Sequence, residues 1–250
     1  MTPRLRAGLV LVAALAFGIS PVFTEGFKGY DKSQFPVLIA DPAILPAGYA
    51  FAIWGLIYLW LFAHAGFGLW KRADDPAWDA TRLPLLGSLA IGAIWLAVAV
   101  RSPLWASVLI TLMAAGALVA LARAPARPDR WLLLAPLAIY AGWLSAATGV
   151  SWGVLLAGFG WLPDTGAALL MLTLVLGLVL TMQLWLRRAP EYGLTVIWAL
   201  AAVIVRSGGD NPVVSGFAAL GILLIGAAVL RIGRMAASAR RAGASSRAIP

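Results

Sequence analysis

Residues 46–60 read PAGYAFAIWGLIYLW, and the run they open meets no charged side chain before Lys71. A bilayer core of roughly 30 Å takes about 20 apolar residues as a helix, so this run is long enough to cross one. The whole chain has the same character. Of 250 residues, 62% are hydrophobic and 12% charged, and the mean hydropathy is +0.91. That composition is expected of an all-α, polytopic membrane helix bundle. Lipid alone would be satisfied by Leu and Val. The stretch instead carries Tyr49, Phe51, Trp54, Tyr58 and Trp60, which raises the question of whether these rings pack or bind.

Working outward, apolar runs predict eight spans, at about 7–23, 48–70, 83–100, 104–122, 131–155, 166–186, 192–206 and 213–231. The breaks between them hold Pro, Gly and charge, as in KRADDP at 71–76, RSP at 101–103 and SGGDNP at 207–212. With the N-terminus in the cytoplasm and eight crossings, all of the 19 basic residues except Lys28, Lys32, Arg101 and Arg206 fall on the cytoplasmic side. Both termini are then cytoplasmic. The span at 192–206 is the shortest and ends in Arg206, which can snorkel to the interface. The first span has a rival reading as a signal peptide, with Ala14-Leu15-Ala16 as a small-x-small site, but its apolar run continues to Phe23. The net charge of +9 follows from topology and is no sign of nucleic-acid binding. Gly, at 26 residues, suits close helix packing. Cysteine is absent, which excludes disulfides and thiolate chemistry.

The longest loop of the membrane region, 24–46, contains Phe27, Tyr30 and Phe35 and several Pro and Gly. Such a loop can close over the mouth of the bundle as a lid. The tail beyond Arg231 is rich in Ala, Ser and Arg. It is expected to be disordered and to meet anionic headgroups.

Ionisable groups deep in a membrane mark function, and the mid-spans hold almost none. No carboxylate relay, phosphate-binding loop or hydrolase triad is visible, and a lone histidine builds no metal site. No catalytic or metal-binding residue is therefore assigned. His64 has two readings: an axial haem ligand or a hydrogen-bond donor to a ligand's carboxylate, or a buried or interfacial imidazole bonded to a backbone carbonyl. The tryptophans divide. Trp70, Trp78, Trp105, Trp131, Trp161 and Trp185 lie near span ends, as interfacial anchors do. Trp54, Trp95, Trp143 and Trp198 lie deeper. Trp54 and Tyr58 share a helix face, as do Tyr140 and Trp143. Rings placed so either fill the core or line a cavity for a flat apolar molecule.

Residues 46–58 resemble the start of the second helix in the tryptophan-rich sensory protein family, bacterial relatives of the mitochondrial translocator protein. Pro46, Trp54 and Tyr58 stand at that motif's spacing, Leu45 replaces its first proline, and Phe51 is displaced by one. YAGWLSAAT at 140–148 is similar to the family's fifth helix through Tyr140, Trp143, Ser145, Ala147 and Thr148. Ile139 stands for its proline, Ser151 for its asparagine, and Gly92 for an asparagine of the third helix, from which Trp95 survives. The resemblance covers about 5–155. It divides the chain into a five-helix region over 1–155, three additional spans over 156–231, and the tail over 232–250.

The resemblance implies a ligand cavity beneath the loop joining the first two helices. Family members bind porphyrins, and some bind sterols or other apolar ligands; light-dependent porphyrin degradation has been attributed to some. Carried over residue by residue, the ligand-binding candidates are Trp54, Tyr58, Trp95, Tyr140, Trp143 and Ala147. His64, Arg101 and Arg206 are candidate polar contacts, the arginines for propionates. The expected function is a non-catalytic sensor or regulator in a bacterial inner membrane, with no cofactor other than a porphyrin or haem as ligand. Its expected partners are the bilayer, a small apolar ligand and a second copy of the chain. A facilitated transporter of an apolar or amphipathic solute, and a non-catalytic membrane subunit, are the alternatives.

Overall fold

A computed structural model describes residues 1–24 and 29–245. Phe27 and Lys28 of the loop, and Arg247 of the tail, lie outside them. Among the described residues every regular element is helical. The helices are α1 (Pro3–Ile19), α2 (Ile53–Lys71), α3 (Pro76–Ala99), α4 (Pro103–Arg123), α5 (Ala135–Gly158), α6 (Asp164–Leu186), α7 (Pro190–Ser207) and α8 (Pro212–Ser245). One lies at each expected span. Their starts are written locally. Pro opens α1, α3, α4, α7 and α8, where a missing N–H costs nothing. Thr2, Asp75 and Ser102 cap α1, α3 and α4, accepting from Leu5 N, Ala77 N and Trp105 N.

Seven of the helices are long and apolar enough to cross a membrane, which makes this an integral membrane protein. The exception is α7, 18 residues bearing Glu191 and Arg206 near its ends. It nevertheless runs the height of the bundle. Its start is tied to Arg130, which pairs with Glu191. Its far end receives a bond from Ala47 N on Ala202 O, 2.9 Å. An 18-residue helix is about 27 Å long, a little short of a bilayer core of roughly 30 Å. The tail departs from expectation too. α8 continues past Arg231 to Ser245, because Ala and Arg are strong helix formers.

Helix α5 is the axis of the packing: α4, α6 and α7 lie against it, and most of its side chains are buried. Gly142 makes the α5–α7 approach possible, since a Cβ there would lie 2.6 Å from Tyr192 O. At the basic end of the bundle, arginines close the helix termini. Arg82 is 3% exposed and donates to Pro3 O, Gly68 O, Arg72 O and Ala73 O, capping the open carbonyls of α2. Arg188 does the same for α4 through Ala122 O and Ala124 O. Arg72 and Trp78 Nε1 converge on Asp129, at 2.7 and 2.9 Å. This use of the positive charge is structural as well as topological.

Candidate functional site: a ring-lined cavity under the loop

At the other end, the loop from 29 to 47 crosses the bundle and is fastened to several helices. Val37 N donates to Gly158 O at 3.0 Å, Gln34 Nε2 to Val100 O at 3.2 Å, and Ala43 N to the Asp164 carboxylate at 3.0 Å. Arg206 Nε and Nη2 donate to Asp41 Oδ1 at 2.8 and 2.5 Å. Tyr30 turns inward, its hydroxyl 2.5 Å from Ser151 Oγ, which lies 2.8 Å from Ser107 Oγ. Burial pushes the Tyr30 phenol above its ordinary value, so it stays a neutral hydroxyl at physiological pH.

Beneath the loop is a cavity of about 870 Å³. On α2, Trp54 and Tyr58 stack with centroids 5.3 Å apart, as their one-turn spacing predicts. Phe17 of α1 sets its ring edgewise to both, at 5.6 and 5.2 Å. Trp143 of α5 stands edgewise to Trp54 at 6.1 Å, and Phe51 edgewise to Trp143 at 5.8 Å. These are the edge-to-face geometries that ring quadrupoles favour. Trp95 completes this wall from α3, its Nε1 donating to Ala106 O at 2.9 Å. Trp143 Nε1 is buried without an acceptor among the described residues. The opposite wall comes from α6 and α7, through Met171, Leu172, Val196, Ala199 and Val203.

Of the residues singled out in the sequence, Trp54, Tyr58, Trp95, Trp143, Ala147 and Arg206 line this one cavity. The other three lie elsewhere. Tyr140 is fully buried behind the wall, its hydroxyl 2.9 Å from Ser88 Oγ and its ring against Phe17. His64 sits toward the basic end, its Nδ1 2.7 Å from Leu132 O and its ring stacked on Trp78 at 4.9 Å. A carbonyl only accepts, so Nδ1 carries the proton, and His64 is not among the residues lining the cavity. Arg101, just past the end of α3, turns back onto it, donating to Ala97 O at 2.7 Å, and is not among the lining residues.

Phe17 was not foreseen, but the chain carries a trace of it. A Cβ on Gly92 would lie 2.7 Å from the Phe17 ring, so the glycine in place of the family's asparagine makes room for that ring. Ser151, in place of another asparagine, shares a hydrogen bond with the Tyr30 hydroxyl. Both departures from the motif thus have a local partner. Among the described residues no group of three or more His, Asp or Glu side chains is arranged to hold a metal. The family model of the TSPO-like proteins matches residues 11–231, from within α1 to within α8. No curated protein and no solved structure matches the chain.

Proposed function

The chain belongs to the TSPO-like family, and on that premise we propose that it binds a flat apolar ligand of the tetrapyrrole kind in the ring-lined cavity, as a non-catalytic sensor or regulator. The observation that carries this reading is the cavity itself, about 870 Å³ of space walled by Phe17, Trp54, Tyr58, Trp95 and Trp143 and roofed by the loop. Its size lies within the range of small-molecule sites. A macrocycle laid on these rings gains dispersion and buries apolar area at about 25 cal/mol per Å². The membrane proposed is a bacterial inner membrane, with both ends of the chain cytoplasmic, because the basic residues gather at the end where the chain starts and stops.

The test is a titration of the purified protein with protoporphyrin, followed by porphyrin absorbance. Trp54→Leu and Trp143→Leu should each weaken a saturable binding about tenfold, the equivalent of about 1.4 kcal/mol. Trp105→Leu, on the exposed outer face of α4, should leave it alone. Unchanged affinity in both cavity variants would make the rings core and nothing more.

A further inference from the structure

The cavity touches two faces of α5. Trp143, Ala147, Val150 and Val154 line it from the face turned to α2, where Trp143 meets Trp54. Ala146 and Gly149 also line it, and their spacing puts them on the next face, with Gly142. That face packs on α7 at Gly142 and on α6 at Gly149. The space therefore turns the corner of α5 and runs as a side arm into the angle between α6 and α7. The arm has a chemistry of its own. Met171, Leu172 and Val175 wall it from α6, and Val196, Ala199 and Val203 from α7. A crevice of about 10 Å³ continues it toward α8, sharing Leu172, Val175, Val196 and Leu200 and ending against Phe217 and Ile225. Phe51 marks where the cavity opens sideways, since it lines the space yet is 48% exposed. The adjacent Ala50 accepts from Trp198 Nε1 at 3.1 Å. This rim thus lies level with Trp198, about 12 Å along α7 from Arg206 and the ion pair it makes with Asp41 at the loop end. In a protein that crosses the membrane, the phase at that depth is alkyl chains. A wall of this kind holds no water, because it offers no hydrogen bonds. Left empty, it forfeits the dispersion contacts of its lining. A chain from the bilayer restores them.

We propose that the side arm between α5, α6 and α7 is a second binding site, and that it holds one acyl chain of a bilayer phospholipid, admitted past Phe51. A flexible chain follows an arm that bends around a helix, and the methyl and methylene surfaces of Met, Leu, Val and Ala give it contact without asking for orientation. Ala146, Gly149 and Ala199 keep the arm open by their small size. The site belongs to the helices that follow α5, and it stands whether or not the ring-walled chamber takes a porphyrin.

The test places the full-length protein in vesicles of phosphatidylcholine that carries a photoactivatable diazirine in the middle of one acyl chain. After irradiation the labelled residues are mapped by mass spectrometry. A parallel arm carries the diazirine on a free fatty acid in unlabelled vesicles. The same helices supply the control, because Leu170 and Leu174 of α6 and Leu194 of α7 are exposed on the outer face and any bilayer chain labels them. The phosphatidylcholine should label the buried Met171, Leu172 and Val196 as well as these outer positions. Ala199→Leu and Ala199→Trp fill the arm and should lower the ratio of inner to outer labelling about threefold or more, since a chain must then overpack. Unfolding would instead label both faces alike and raise the ratio, and the smaller leucine keeps the test should the tryptophan do so. Labelling confined to the outer positions overturns the proposal, as does inner labelling that Ala199→Leu leaves unchanged. Inner labelling by the fatty acid alone overturns the phospholipid as the occupant. Failure of the porphyrin titration leaves all of these outcomes untouched, because no porphyrin is present.

Discussion

The approach of α7 to α5 can be tested with a single methyl group. A Cβ added at Gly142 would lie 2.6 Å from Tyr192 O and 3.0 Å from Thr195 Cβ, whereas unstrained contacts settle near 3.5 Å. The nearest atom is backbone, so no rotamer change relieves the clash, and the helices must part. Helix α7 resists, because Tyr192 Oη is bonded to Ser145 Oγ at 3.1 Å and Gly193 N to Gln183 Oε1 at 3.1 Å. Overpacking of this kind costs about 1–3 kcal/mol. Against it stands the helix preference of Ala over Gly, about 1 kcal/mol. Gly177, inside α6, has nothing within 4 Å of its added Cβ and keeps that gain whole. The same substitution should therefore destabilise at 142 and stabilise at 177, with about 1–3 kcal/mol between the two variants. Unfolding in mixed micelles of increasing SDS content, followed by circular dichroism, measures the difference. Because α7 supplies Val196, Ala199 and Val203 to the cavity, Gly142→Ala should also weaken protoporphyrin binding. Equal stability of the two alanine variants would show that α5 and α7 are not this close.

Other consequences follow from the two ends of the bundle. Arg82→Met leaves the α2 carbonyls and Pro3 O without their donor and should cost about 3–5 kcal/mol; ligand affinity of the protein that still folds should not change, since Arg82 is remote from the cavity. His64→Leu should leave the absorbance spectrum of bound haem unaltered, and a shifted spectrum would restore the axial-ligand reading. Tyr30→Phe removes the hydroxyl bonded to Ser151 and should speed ligand dissociation about fivefold, for a loss of about 1 kcal/mol. The Asp129 carboxyl is held below its ordinary 3.8, first by its hydrogen bond from Arg72. A folded-state value below the unfolded one means stability that is present above the unfolded value and is lost as pH falls through the folded one. Melting followed downward from pH 5 should therefore steepen below about 4, and Asp129→Asn should flatten that part of the curve.

Much of this was written locally enough to read. Span positions follow from uncharged runs, and caps such as Asp75 and Ser102 act within three residues of themselves. The stacking of Trp54 on Tyr58 follows from a spacing of four. Spacing says which side chains share a face, not where the face points. Tyr140 and Trp143 show the limit: Trp143 reaches the cavity wall, while Tyr140 turns behind it to Ser88. Long-range pairs were out of reach altogether. Asp41 and Arg206 are 165 residues apart, and no local pattern joins them. The motif resemblance ended near residue 155, whereas the TSPO-like match continues to 231. The later helices lack the tryptophan pattern that made the earlier ones recognisable, and what they add to the site is aliphatic surface and one arginine.

The distribution of polar bonds explains how a wide cavity persists in such a chain. In lipid, helices gain little by exposing less apolar surface to one another, so close packing and hydrogen bonds hold them. A ring-lined space of about 870 Å³ forfeits packing between α2 and the α6–α7 wall. That loss must be offset where the helices end. At the basic end, Arg82, Arg188 and the Arg72–Asp129–Trp78 cluster join α1, α2, α3 and α4 to the turns around them. At the loop end, Gln34, Val37, Ala43 and Ala47 bond separately to groups of α3, α5, α6 and α7 or the residues that end them. Each such bond contributes about 1 kcal/mol, and none lies in the middle of the cavity. The scarcity of charge within the spans and the crowding of polar contacts at their ends are thus one arrangement. Helices fixed at both ends need not touch between them, and the space left between them is shaped by the rings of α1, α2, α3 and α5.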